Sequence, residues 1–518
     1  MNPVELSIFA NRMNAVCDEM GAVLQRAAFS PNIRDRLDFS CAVFDAQGEI
    51  CAQAAHIPVH LGSMAYAMRD IVQQIDWQAG DMVVVNDPYL GGTHLPDVTL
   101  IAPVFFAGQL AGYVVNRAHH ADIGAHTPGS MPISRTLAEE GIVIPPQHLL
   151  RQGELNQSLM QDILAATRNP RIGQGDFAAQ ISANKTGIKR LGQLIERLGS
   201  EAYRQALAAL NDYGERLARS VLADVPAGSY TFADYMDDDG LGNTRLPIRL
   251  QLDISPDGVI ADFSGTAAQT AGNINCPLSV VAAAVYYVFR CLMPAQTPAC
   301  AGTFRPLHIT APLGCLLNAQ RPAAVAAGNV ETSMRIVDVV MGALAKAVPD
   351  AIPAASHGSM NNLAMGGVYA GRNWDYYETM GGGMGAGPHY PGLAAVQAHM
   401  TNTRNTPIEV MEGNYPVRVR QYGLRTGSAG RGLHAGGEGQ LREIEFLAPA
   451  TLTLLSERRS LAPWGLEGGR DAQAGANWLN GQALPGKVCC QVIAGDVLRI
   501  ETAGGGGWGP IPAGVRSS

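Results

Sequence analysis

Two short segments concentrate the side chains best suited to chemistry. The first runs Asn86-Asp87-Pro88-Tyr89-Leu90-Gly91-Gly92-Thr93-His94-Leu95-Pro96-Asp97, and the second Asn116-Arg117-Ala118-His119-His120-Ala121-Asp122-Ile123-Gly124. Together they hold three histidines and three aspartates. Apolar runs over Val98–Phe106 and Leu110–Asn116, separated by Ala107-Gly108-Gln109, predict a β-hairpin between them. With the turn centred on Gly108, Asp97 faces His119. A centre half a residue later pairs Asp97 with His120 instead. Facing residues have Cβ atoms about 4.5–5.5 Å apart, close enough for two side chains to share one ion. His94 lies three residues before Asp97 on the loop into the same strand, so His94, Asp97 and His119 can meet without any long-range assumption. Two imidazoles and a carboxylate suit a first-row divalent ion such as Zn, Mn or Fe. Asp38, in Arg36-Leu37-Asp38-Phe39-Ser40, is a candidate fourth ligand. His120 and Asp122 are then left to orient ligands or face a substrate as catalytic proton carriers. An open position on such an ion lowers the pKa of bound water or polarises a substrate oxygen. Against this stands a plainer reading, in which His and Asp near strand ends only cap turns.

The elements that must position these residues are legible in outline. Asn2, Pro3 and Glu5 form a helix start, and Leu6, Phe9, Met13, Val16, Met20 and Val23 continue it as one apolar stripe. Phe39–Phe44 and Glu49–Gln53 flank Asp45-Ala46-Gln47-Gly48 as an earlier hairpin, and Val83–Val85 is a short strand. Residues 159–222 are helical in pattern. After Pro226 the texture turns to short strands and turns, with helices returning near Leu278–Leu292 and Ser333–Ala347. The fold class read from this is mixed α+β. Antiparallel hairpins and a helical segment occupy residues 1–225, and a Gly-rich, β-dominated region fills 226–518.

Bulk properties exclude several classes. The 518 residues are 47% hydrophobic and 16% charged, with a net charge of −8. That is enough material for a large core, and a poor match for nucleic acid or an anionic membrane as partner. Nine scattered cysteines without a CxxC pair, and a polar first thirty residues without a signal-peptide core, point to reduced thiols in the cytoplasm. The longest apolar run, near Val280–Phe289, is too short to cross a bilayer. The Gly381–Gly387 run has no GKS or GKT ending, which favours tight turning or close chain packing over a phosphate cradle. Asp237-Asp238-Asp239-Gly240 lacks the glutamate of a calcium loop, since position 246 is Leu. Ser359 is not in a GxSxG elbow.

Taken together, the segments resemble the hydantoinase B and oxoprolinase family. The resemblance rests on Arg36 through Ser40, Asn86 through Asp97 and Asn116 through Gly124. It continues through Gly175 to Gln180, Asp262 to Thr266, Gly328 to Ser333, Tyr377 to Thr379, Thr401 to Glu409 and Gly504–Gly507. Ala125 follows Gly124 where many relatives would carry a second glycine. The resemblance implies a metal site at Asp38, His94, Asp97 and His119. It also implies a separate or fused hydantoinase A-type partner that holds ATP and Mg and phosphorylates the substrate oxygen, in a hetero-oligomer with two or more copies. The expected activity is ATP-dependent opening of a hydantoin, 5-oxoproline or lactam ring. A ketone carboxylase subunit of the acetone or acetophenone type is the alternative, and a scaffold with a degenerate site is a third.

Overall fold

A computed structural model describes residues 2–54 and 57–511. The part that matters most is a seven-stranded antiparallel sheet. Its strands are β1 (Phe39–Asp45), β2 (Ile50–Ala54), β3 (Met82–Val85), β4 (Asp97–Phe106), β5 (Gln109–His119), β6 (Gln147–Arg151) and β7 (Glu154–Leu155). They lie in the order β2-β1-β5-β4-β3-β6-β7. Both faces of the sheet are covered, which is why its central strands read as continuous apolar runs rather than alternating ones. One face packs on the helix Pro3–Ala27, closed by the predicted Asn2–Glu5 capping box, and on the helix Pro170–Leu198. The other face packs on the helix His60–Gln74, which buries Met64, Met68 and Ile71 against Phe44, Ile101 and Val115.

The predicted hairpin forms, and Asp97 pairs with His119 rather than with His120. The turn is shorter than expected. Ala107 and Gly108 alone make it, both with positive φ (50° and 77°), and Phe106 pairs with Gln109. Two such residues match the right-handed twist of the arms. A bulge then follows: Phe105 pairs with Leu110, but Val104 pairs with Gly112, so Ala111 is left over. Were Ala111 paired with Val104, Asp97 would face Ala118.

The helical stretch read at 159–222 resolves into Gln157–Ala165, Pro170–Leu198 and Ser200–Ala223. Buried amides tie the second of these to the hairpin. Asn116 Nδ2 donates to Gln180 O and Asn184 Oδ1, and Gln180 Nε2 donates to Val98 O. Leu278–Leu292 is helical as predicted and packs on His60–Gln74, where Gly62 sits so close that a Cβ would stand 2.5 Å from the Tyr286 ring. The helix predicted over Ser333–Ala347 forms over Ser333–Leu344 and is entered through a π-helical turn at Gly328–Thr332.

Among the described residues there are three smaller sheets. One of four strands spans Gly228–Asp238, Thr244–Ser255, Gly258–Asp262 and Leu307–Thr310. A second four-stranded sheet pairs Asn362–Tyr369 with Arg372–Glu378 and Ala450–Leu455, and the last has five strands around Gly439–Phe446. Among the described residues no helix is long and apolar enough to cross a membrane.

The glycine runs are contact points between backbones. Gly383 N donates to Ala503 O, Ala386 N to Gly506 O, and Gly505 N to Gly437 O. A Cβ on Gly383 would lie 2.0 Å from Gly437 O, and one on Gly505 would lie 2.0 Å from Met384 O. Neither glycine has a positive φ, so the requirement is for space, not for a special dihedral. Gly505→Ala should therefore destabilise the fold by about 1–3 kcal/mol or more, read as a lower denaturation midpoint; an unchanged midpoint would mean the runs are loosely packed.

Candidate metal centre

Three neighbouring strand ends meet at one margin of the large sheet. β1 starts directly after Asp38, β4 starts at Asp97, and β5, which lies between them, ends at His119. His119 N donates to Asp38 O at 3.0 Å. Leu37 takes a left-handed φ of 60° to turn the chain into β1 at this point. His94 is delivered by the loop after β3. Gly91, with φ of 94°, passes so close to Ala67 that a Cβ would meet that side chain at 2.1 Å. Asn86 pins the loop from within: its Nδ2 donates to Leu95 O and Ile142 O, both at 2.9 Å, and its Oδ1 accepts from Ile144 N.

The two oxygens of Asp97 have different surroundings. Oδ1 lies 3.3 Å from His94 Nε2 and 3.3 Å from His119 Nδ1. Oδ2 accepts from the Thr93 hydroxyl, from His60 Nε2 at 3.3 Å and from Asn329 Nδ2 at 3.4 Å. His94 Nε2 is buried and makes no hydrogen bond. Ligands about 2.0–2.2 Å from one ion lie about 3.0–3.5 Å from each other. The His94, Asp97 and His119 donors, all within 4.8 Å of one another, thus fit a divalent ion with two nitrogens and one oxygen. Asp38 stands at the edge of this trio. Its Oδ2 is 4.0 Å from His119 Nδ1 and 3.7 Å from Arg36 Nη2.

The electrostatics within the trio differ from residue to residue. Burial works against charge on Asp97, but His94, His60 and His119 outweigh it and hold its carboxyl well below the usual range. Burial also opposes charge on His94, yet Asp97 and Asp38 raise its pKa. For His119 burial wins and its pKa falls, which favours the neutral imidazole that a metal needs. The His119 ring is stacked on Tyr377, with centroids 4.8 Å apart and planes 9° from parallel. Tyr377 is itself fixed: its hydroxyl donates to Asn362 Oδ1 at 2.8 Å, and its carbonyl accepts from Arg36 Nη1 at 2.8 Å. Asn362 Nδ2 in turn donates to Glu331 Oε1 in the π-turn.

A narrow cleft opens on Asp97 and His119 between the Ile57–His60 segment and the wall of Asn329, Tyr377, Thr401 and Thr403. Its free volume is about 20 Å³, room for about one water or ion. A ring-sized ligand requires these walls to part. They are tied by a bond from Val59 N to Met400 O at 3.3 Å.

His120 and Asp122 do not line this cleft. His120 Nε2 bonds Gln180 Oε1 at 2.9 Å and its ring packs on Phe177. Successive strand residues point to opposite faces, so if His119 faces the cluster, His120 faces the helix Pro170–Leu198. Asp122 accepts from Gly124 N and Arg168 N and pairs with the Arg168 guanidinium. Sequence reasoning missed His60 and the contact of Asn329 with Asp97. His60 begins a helix with no side-chain cap, and Asn329 reaches the site only through tertiary packing of its π-turn.

Fold and site define an α+β protein with a buried His/Asp cluster, suited to a divalent ion, at the margin of an antiparallel sheet. The chain belongs to the Hydantoinase B/oxoprolinase family, whose model matches residues 2–511. It is 40% identical to 5-oxoprolinase 1 of Arabidopsis thaliana over 98% of this chain, and spans only 42% of that longer relative. Its structure is similar to that of an ATP-dependent caprolactamase from Pseudomonas jessenii, with a TM-score of 0.93 at 26% identity over 99% of this chain and 92% of that one. An acetone carboxylase shares the fold, with a TM-score of 0.88 at 17% identity over 98% of this chain and 76% of that one.

Asp375, near Asp122, gives a pH test. Burial first and the Asp122 charge second push its carboxyl up to about 7. A carboxyl whose folded pKa lies above its unfolded value of about 3.9 contributes stability at low pH and loses it as pH rises through the folded value. Denaturation midpoints compared at about pH 5 and about pH 8 should fall for the wild type and fall less for Asp375→Asn; equal falls would place the titration elsewhere.

Proposed function

We propose that this chain is the metal-bearing B-type subunit of an ATP-dependent cyclic amide hydrolase, acting on a hydantoin, 5-oxoproline or lactam ring. In this reading a hydantoinase A-type partner holds ATP and Mg and phosphorylates the substrate oxygen. No GKS or GKT phosphate-binding ending occurs in the sequence, and the 5-oxoprolinase relative is more than twice as long as the part matched here. The observation that carries the reading is the convergence of His94 Nε2, Asp97 Oδ1 and His119 Nδ1, with Asp97 and His119 lining a narrow cleft. The likeness to a caprolactamase over nearly the whole chain supports it.

His94, Asp97 and His119 would hold a Zn, Mn or Fe ion, with Asp38 closing the set. When bound, such an ion supplies Lewis acidity toward a carbonyl or phosphoryl oxygen. The chain's own residues do the rest of the positioning. Thr93, His60 and Asn329 occupy Asp97 Oδ2, which would leave Oδ1 for the ion. Tyr377 fixes the tilt of the His119 ring. His120, through Gln180, and Asp122, through the Arg168 backbone, hold the end of β5 and the loop after it.

The test is to purify the chain with its A-type partner and measure metal content, ADP release and ring opening on hydantoin, 5-oxoproline and caprolactam. His94→Ala and Asp97→Ala should each lose stoichiometric metal. Changes to groups that only orient a ligand cost about 10–100-fold, so these two should lower turnover by more than that. No ring opening on any substrate would defeat the reading, and bicarbonate-dependent consumption of a ketone would put the carboxylase in its place.

A further inference from the structure

His94 presents Nε2 to Asp97 Oδ1 at 3.3 Å, and its other ring nitrogen has nothing to bond. The residue is 0% exposed, and Nδ1 is buried without a partner. A histidine that ligates through Nε2 carries its proton on Nδ1, and that N–H is almost always given to a carboxylate, a carbonyl or a water. Glu140, also 0% exposed, is the complementary case. Its Oε1 collects three donors: Ser134 Oγ at 2.8 Å, Ala326 N at 2.9 Å and Val325 N at 3.0 Å. Its Oε2 has only a longer share of the same Val325 N, at 3.2 Å. Each carboxylate oxygen can accept about two bonds, so Oε2 has capacity left over where Oε1 has none.

The two residues stand on segments that Asn86 clamps together. Its Nδ2 donates both to Leu95 O, next to His94, and to Ile142 O, two residues after Glu140. The two side chains also act on each other: Glu140 is among the charges that raise the His94 pKa, and His94 works against the rise that burial imposes on Glu140. They do not bond directly, and polar atoms beyond direct reach are commonly joined by one water. We infer that Glu140 is the positioning residue of His94: its Oε2 accepts the His94 Nδ1 proton through one bridging water and so keeps the Nε2 lone pair turned toward the ion. The inference rests on the metal reading above and deepens it. The Val325 and Ala326 amides that hold Glu140 lie just before the π-turn Gly328–Thr332, which carries Asn329 to Asp97 Oδ2. One segment thereby sets both a histidine and the carboxylate of the trio.

The experiment titrates the chain with Co(II) against a competing chelator and follows denaturation of the metal-free protein in parallel. In Glu140→Gln the side-chain oxygen stays with the three donors that face it, so the amide nitrogen takes the place of Oε2. A donor there turns the bridge around, favours the His94 proton on Nε2 and works against the ion. Glu140→Ala removes the acceptor without putting a donor in its place. Affinity for Co(II) should therefore fall by about 100-fold in Glu140→Gln and by about tenfold in Glu140→Ala, although the alanine variant is the less stable of the two because it strands the Val325 and Ala326 amides. A merely structural glutamate gives the reverse order of affinities, since glutamine keeps the hydrogen bonds that alanine loses. Wild-type affinity in Glu140→Gln, weaker binding by the alanine variant than by the glutamine one, or a glutamine variant that loses metal only because it no longer folds, overturns the inference and leaves the metal reading standing. If the alanine variant does not fold, the affinity and midpoint of Glu140→Gln decide alone. A wild type that takes up no stoichiometric Co(II) overturns both.

Discussion

The Asp97 carboxylate is the constraint on which the rest depends. It is 1% exposed, and an isolated charge at that depth is prohibitively costly. It stays ionised because donors from distant segments converge on it. Thr93 comes from the loop before β4, His60 from the helix on the far face of the sheet, Asn329 from the π-turn, and His94 and His119 from either side of the hairpin. The same charge therefore joins the large sheet, the helix His60–Gln74 and the second half of the chain. Removing it would leave these five groups without their shared partner.

The part of the site that was legible in the sequence is the part set by local rules. Strand pairing across a short turn follows from the apolar runs, and it places Asp97 against His119 once the register is chosen. Asp38 was legible as the residue before a strand, and its position beside His119 follows from β1 and β5 being neighbours. The fold class follows from the same patterns. What was not legible depends on packing between remote elements. His60 is the first residue of its helix, where no side chain caps the start. Asn329 becomes a neighbour of Asp97 only because Gly328, whose Cβ would stand 1.9 Å from Asn275 O, lets the π-turn settle there. His120 is a different case. Strand alternation sets it opposite to its neighbour, so a site built on His119 was already an argument against building on His120.

The second half of the molecule supports the site through buried ion pairs. Arg335 bridges Asp234 at 3.3 Å and Glu457 at 3.1 Å, while Arg458 pairs with Asp234 at 2.7 Å and with Asp338. These residues come from the sheet after residue 228, the helix that continues the π-turn and the segment after Ala450–Leu455. Such pairs contribute little net stability, but removal of one member leaves an uncompensated charge. They fix how the π-turn sits against the sheets, and through Asn329 that placement reaches Asp97. Glu331, pushed up to about 8 by burial and by the Glu457 charge, lies where the network meets the Asn362–Tyr377 chain behind His119.

The bulge at Ala111 makes the geometry of the site a matter of parity. β4 has ten residues and β5 has eleven, and the odd residue sits near the exposed tip, far from the end that pairs Asp97 with His119. Each residue of slippage turns every side chain beyond it to the other face. The tip is therefore free to vary in composition, and even in length, as long as the mismatch between its two arms remains one. An unbalanced insertion close to the turn would swap an imidazole for a methyl group at the opposite end of the hairpin without altering a single residue there.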